Sequence, residues 1–450
     1  MFTSNTVLAI SDLKILAIAA LAAFVILSAP AATSPAQAQT GVYTQNGGTG
    51  SQTNQTYAAT AVDQSAVYVL NSGILTLTNC TMTKTGDASD VNASSQYGTN
   101  AGVLAKSGGL ITILGGSVTT DASGANGLFA SGSGSTISMS GGYISATGGG
   151  AHGVDATYGG SITLNNVDVT TNGSNSSALA TDFGGGTVTV TNGAIISAST
   201  ESGSHSAGIY STGVVTLTGA TVMSLGDCGG VIDGANSITL LHAELIGQQH
   251  GIKIWKTAPG AGSAVVLMRE GWLTSREGSA FYVTAETGNA ASAAITVKEG
   301  ATVDAGNGNI LSVLGASSAT LTLDGVELSG SLYADAAATA AVTLQNNARL
   351  AGAASGVGMT MDASCVWFVT SNSVLTSLVD SAGVAGSTIT NIVGNGYNVH
   401  YDPNLAANSY LGGLVYTLAR GGVLTPDTVP VTAVSWGAIK TLFGSRQHGS

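Results

Sequence analysis

Short runs of alternating apolar and hydroxyl residues recur along this chain at a nearly constant interval. The commonest run is an apolar-Thr-apolar triplet, as in Leu75-Thr76-Leu77, Ile111-Thr112-Ile113, Ile162-Thr163-Leu164 and Val188-Thr189-Val190. The series includes Ile137-Ser138-Met139, Val215-Thr216-Leu217, Ile238-Thr239-Leu240, Val265-Val266-Leu267, Ile295-Thr296-Val297, Leu321-Thr322-Leu323, Val342-Thr343-Leu344 and Trp367-Phe368-Val369. Successive first members are separated by 36, 26, 25, 26, 27, 23, 27, 30, 26, 21 and 25 residues. Side chains alternate across a strand, so each triplet predicts two inward apolar residues and one outward Thr.

A second apolar position follows seven or eight residues later, as at Val118, Ile144, Val169, Ile195 and Val222. A third strand precedes the next triplet as Gly-apolar-x. Examples are Gly102-Val103-Leu104, Gly127-Leu128-Phe129, Gly153-Val154-Asp155, Gly208-Ile209-Tyr210, Gly230-Val231-Ile232 and Gly251-Ile252-Lys253. Gly, Ser and Asn between the strands suit corner conformations. Three short strands per period predict one coil of a three-sided solenoid, stacked in parallel on its neighbours. The fold class read from the pattern is all-β: a right-handed parallel β-helix of about twelve coils over residues 65–426. Helical repeats need a 3.6-residue period, and a propeller blade needs about 40 residues; neither fits.

Composition narrows this picture. Glycine is 64 of 450 residues without a G-X-Y period, which excludes collagen. Charged residues are 8% and apolar ones 44%, the reverse of a disordered chain. Aromatics are only 5%, so small side chains must fill thin, stacked layers. The net charge of −12 argues against a nucleic-acid partner, which needs clustered Lys and Arg. Cys80, Cys228 and Cys365 are too few and too far apart for a disulfide framework or a zinc site, and read as small buried apolar residues.

The two ends differ from the repeat. Lys14 precedes an apolar run from Ile15 to Leu27, followed by Ala36-Gln37-Ala38, an A-x-A cleavage pattern. Residues 1–38 are expected to be an export signal, leaving a mature chain from Gln39 without a transmembrane helix. The polar stretch 39–64 is expected to be an irregular arm or cap. The segment 427–450, with Trp436, Lys440 and Arg446, reads as a cap over the last coil or an attachment signal.

The stretch GGSITLNNVDVTTNGSNSSALATDFGGGTVTVTNGAIISAS resembles the right-handed β-helix passenger regions of autotransporter-type adhesins. The stretch WFVTSNSVLTSLVDSAGVAGSTITNIVGNGYNVHYDP, followed by YLGGLVYTLARGGVLTP, is similar to the closing rungs of pertactin-like passengers. The resemblance covers residues 65–426. It implies a non-catalytic secreted or cell-surface adhesin that binds glycans or surface proteins through many weak contacts. Such proteins normally end in a membrane β-barrel translocator, and no stretch of this sequence is expected to form one.

Candidate chemistry concentrates in the seventh and eighth coils. His250, Lys253, Trp255, Arg269, Glu270, Trp272 and Arg276 bring charge and tryptophan together, where the spacing lengthens to 27 and 30 residues. Indole faces stack on sugar rings, and Arg or His contact their polar groups, so these seven are the expected ligand-binding residues. His250 to Trp255, HGIKIW, faintly resembles a polygalacturonase-type segment, but the paired-aspartate motifs of that family do not occur. A polysaccharide lyase or hydrolase is the alternative reading, distinguished by two carboxylates and a His or Arg gathered on one exposed face. No catalytic residue, cofactor fingerprint or metal ligand set is assigned. His152 and His250 fall at one repeat position about four coils apart, and Asp155 and Asp182 lie in neighbouring coils without a calcium-repeat motif. The outward Thr column suggests a lesser alternative, ice or mineral-surface binding, which requires a second regular Thr column.

Overall fold

The computed structural model describes residues 39–200 and 205–427. The expected export signal and all but the first residue of the C-terminal tail lie outside the described residues. The chain forms a parallel β-solenoid of about 15 turns, 53% strand and only 4% helix. Each full coil carries three strands, called here the first, second and third face in chain order. Val103–Lys106, Leu110–Leu114 and Ser117–Thr120 make up one such coil.

Alternation and stacking give this architecture its core. On the second face, Leu75, Ile111, Ile137, Ile162, Val188, Val215 and Ile238 pair successively in parallel register and are all buried. Each coil buries its apolar residues against the coils above and below, so stability comes from nearest-neighbour interfaces. The outward residues of the same strands form an unbroken hydroxyl column from Thr76 through Thr112, Ser138, Thr163, Thr189 and Thr216 to Thr239. The columns on either side are mixed, with exposed Ile74, Leu110, Leu114 and Val214 among the hydroxyls.

The corner between second and third faces is a two-residue turn with its first residue in the left-handed region. Asn79, Gly115, Gly141, Asn166, Asn192, Gly219, His242 and Glu270 occupy that position in successive coils. Their backbone N–H groups donate to the next coil, as from Asn79 to Leu114 at 2.9 Å and from Asn192 to Thr218 at 2.9 Å. Asn and Gly tolerate this conformation with least cost. Before the first face, Gly153 serves a different purpose: an added Cβ would lie 2.4 Å from Val169 Cγ1 and 2.6 Å from the Ala178 carbonyl.

Several expectations change. The solenoid starts earlier than composition suggested, because Thr40–Asn46, Thr49–Thr53 and Thr56–Ala59 form a regular coil paired with the next. Gln45 and Gln52 take inward positions beside Tyr43 while Val42 is exposed, so this end coil, stacked on one side only, lacks the apolar alternation of the others. The triplet at Val265 is shifted by one: Val266 pairs with Ile238 and is buried, while Val265 is 48% exposed. Two adjacent valines carry no alternation signal. The same ambiguity shifts Gly230, which takes the inward place of Ile209 and turns Val231 outward. Trp367 is buried but belongs to the third face, opposite Leu350, and the strand Ala354–Met361 runs across two faces without a corner. Shortened coils at this end, plus the first coil, account for about 15 turns against the twelve read from the triplets.

The 36-residue first interval holds a feature that the period alone did not predict. It contains the helix Val91–Tyr97, started by the Asp90 carboxylate accepting the Ala93 N–H and ended by Gly98 at φ +67°. The helix covers an outward cluster of Tyr68, Ala101, Leu104 and Phe129 on the first face. Cys80, Cys228 and Cys365 are buried free thiols. Among the described residues no helix is long and apolar enough to cross a membrane.

Candidate ligand groove on the first face

The seven residues singled out by charge and tryptophan encircle the solenoid. His250 sits at the corner leading into the first face, where its Nδ1 accepts the Ser279 N–H at 3.1 Å. Lys253 points outward from that face, ion-paired with Glu286 and 4.3 Å from the centre of the Trp255 ring. Arg269 ends a second-face strand and lies 3.3 Å from Glu270, which also pairs with His242. Trp272 begins a third-face strand, 51% exposed, and Arg276 follows at the next corner. A cluster spanning 27 residues of sequence makes a complete turn, so adjacency along the chain disperses these groups over all three sides. Only Lys253 and Trp255 share a face, with His250 at the corner that leads into it.

Trp255 closes one end of a groove that the other six do not line. The groove runs along the first face from the helix residues Val91, Asn92 and Ser95, past His152, Asn175, Asp182, Phe183 and Tyr210, to Trp255. Its volume is about 630 Å³. Phe183 and, one coil earlier, Tyr158 are both held in the left-handed region, at φ +39° and +51°. This conformation is costly for bulky side chains and turns both aromatic rings outward at the rim, where glycine such as Gly132 would be less strained. Tyr158 stacks on Tyr97 of the helix, ring centres 6.0 Å apart, and its hydroxyl meets Gln96. Tyr210 and Trp255 pack over outward-facing Val231 together with Cys228, so the shift at Gly230 supplies the apolar seat beneath them.

Acidic groups from three coils underlie this aromatic lining. Asp155 lies in register with Phe129 and Ala180, outward by alternation yet completely buried; the Asp182 and Ala156 backbone N–H groups temper its charge, but no donor reaches either carboxylate oxygen in full hydrogen-bond geometry. Burial first, then the neighbouring Asp182 charge, holds its pKa well above the usual carboxylate range. Asp182, one coil on, accepts the Phe183 N–H at 2.9 Å, and burial together with the Asp233 charge pushes its pKa up to about 6. Asp233 is fully engaged: it accepts from Thr257 N–H at 2.9 Å, Thr257 Oγ1 at 2.6 Å and the Tyr210 hydroxyl at 3.1 Å. The indole N–H of Trp255 is buried without an acceptor. His152 Nδ1 accepts the Ser177 N–H at 3.0 Å, and burial pushes its pKa down to about 4, so the neutral ring carries its proton on Nε2. Among the described residues no three ligating side chains converge closely enough to hold a metal ion.

Asp182, Phe183 and Tyr210 were not among the seven; the signal for Tyr210 lay in a column rather than in local density, while Asp182 sits opposite Thr157 and Phe183 in the corner beyond it. The x positions of the Gly-apolar-x strands include Leu104, Phe129, Asp155 and Tyr210, all outward on one face. Large or charged residues accumulating in a single outward column mark a built surface. The chain matches no family model, and no curated protein matches it in sequence.

Proposed function

We propose that this chain is a secreted or cell-surface, adhesin-like rod that binds glycans in the groove on its first face. The observation that carries the reading is the set of aromatic side chains Phe183, Tyr210 and Trp255 lining one groove with polar groups, Asp182 among them, interspersed. Flat apolar ring faces with interspersed hydrogen-bonding groups suit pyranose rings. The export pattern before Gln39 and the resemblance to adhesin passengers support the location.

The polysaccharide hydrolase reading draws support from the Asp155 and Asp182 carboxylates near His152. Hydrolysis needs two carboxyl groups that flank the scissile bond. Asp155 is sealed beneath the lining and Asp233 is tied by three hydrogen bonds, which leaves Asp182 alone facing the groove. Binding is therefore favoured over bond cleavage. A glycan-array screen of the chain from Gln39 to Ser450 tests both readings. Binding lost in Trp255→Ala and kept in Trp272→Ala is the expected result. Release of shortened oligosaccharides would establish an enzyme instead, and loss in Trp272→Ala alone would move the site to the third face.

A further inference from the structure

Resting on the groove as a glycan site, we infer that its ligand carries a protonated amino group, seated against Asp182 above the buried carboxylate of Asp155. Asp182, on the groove wall, and Asp155, beneath it, come from adjacent coils two residues out of register, and Asp155 is fully buried with no donor in hydrogen-bond geometry at either oxygen. An isolated buried carboxylate is costly unless a cation or proton offsets it.

Among the described residues, the cationic side chains nearest the two acids are engaged elsewhere or stand at the margins of the groove. Lys253 is ion-paired with Glu286 and lies over Trp255. His152 is kept neutral by burial, with Nδ1 committed to the Ser177 N–H. Tyr210 donates its hydroxyl to Asp233, and Thr257 holds both oxygens of that third acid. His205 stands at the rim, and Lys106 lies over Tyr97 at the far end, 5.7 Å from the ring centre.

Without ligand, the Asp155–Asp182 pair meets its need by retaining a proton. An ammonium group would replace that proton with a fixed charge that donates N–H to the Asp182 carboxylate on the groove wall, while Asp155 attracts it from beneath the lining. The electron-rich faces of Phe183, Tyr210 and Trp255 favour the same charge. Because no three ligating groups converge among the described residues, a singly charged organic cation suits the site better than a metal ion. An amino sugar within a polysaccharide combines the ring and the charge that the groove offers.

Titration calorimetry near neutral pH, comparing glucosamine and N-acetylglucosamine oligomers on the chain from Gln39, tests this. The amine form should bind at least about tenfold more tightly. Asp182→Asn and Asp155→Asn, each confirmed folded by circular dichroism, should each erase most of that preference, and Trp255→Ala should abolish binding of both oligomers. Equal or tighter binding of the acetylated oligomer, still lost in Trp255→Ala, overturns the inference and leaves the glycan groove standing. Amine binding unchanged in both Asn variants overturns it as general attraction to an acidic chain. Failure of both oligomers to bind also overturns it, while the array screen decides the groove separately.

Discussion

The imidazole of His250 lies flat on the ring of Tyr282, with centroids 4.1 Å apart and planes 4° from parallel. Its Nδ1 accepts a backbone N–H from Ser279 in the next coil, so the ring must be neutral at that nitrogen. Burial, with the nearby Lys253 charge, holds its pKa below the ordinary histidine value. His250→Ala removes an acceptor and a stacked ring, and should cost about 1–3 kcal/mol in urea unfolding. A folded-state pKa below the unfolded one contributes stability above the unfolded value, near 6.5, which is lost as pH falls. Wild type should therefore lose more stability than His250→Asn on acidification from pH 7. Equal losses would show that the imidazole titrates normally.

Asp155 and Asp182 carry the opposite sign. Their folded pKa values are raised, so the stability they contribute is present below the unfolded value of 3.8 and is lost as pH rises through the folded value, about 6 for Asp182. Asp182→Asn should match wild type near pH 4 and exceed it at pH 7 by about 2 kcal/mol in the absence of ligand. Asp155→Asn should shift in the same direction. Thermal melts at both pH values provide the measurement, and a variant less stable than wild type at pH 7 would mean that the carboxylate is needed in its ionised form.

Glu270 occupies a left-handed corner, φ +50°, that Asn or Gly fills in most other coils. Its contacts to His242 and Arg269 are exposed ion pairs, which contribute little in water. Glu270→Asn should raise stability by about 0.5–1 kcal/mol and Glu270→Ala should give no such gain, since Ala brings no left-handed preference. A fall in melting temperature for the Asn variant would assign the Glu270 pairs a larger role.

The sequence disclosed the solenoid because its period is written in inward residues. Ile111, Ile137 and Ile162 are apolar for the same reason and stack one above another. Phase failed where neighbouring residues were alike, at Val265 and Val266, or where a corner was dropped, as within Ala354–Met361. The groove was harder to read. Asp155, Asp182, Tyr210 and Trp255 stand in different coils, so their meeting depends on the lateral register of each coil and not on nearness along the chain. Glu270 and Trp272 are two residues apart yet lie on different sides of a sharp corner. The helix Val91–Tyr97 has a polar sequence, VNASSQY, and rests on the outside of the rod, where no core periodicity announces it.

The two-residue corner between second and third faces is nearly invariant, while the other two corners range from a few residues to the helical insertion. Those two adjustable margins both border the first face. The rod thus has a seam that fixes pitch and an opposite side free to accept new length. Segments 257–263 and 284–291 already use that freedom. Peptides grafted there should leave the stacking of coils untouched, whereas a single inserted residue at the Asn192 turn would throw every following rung out of register.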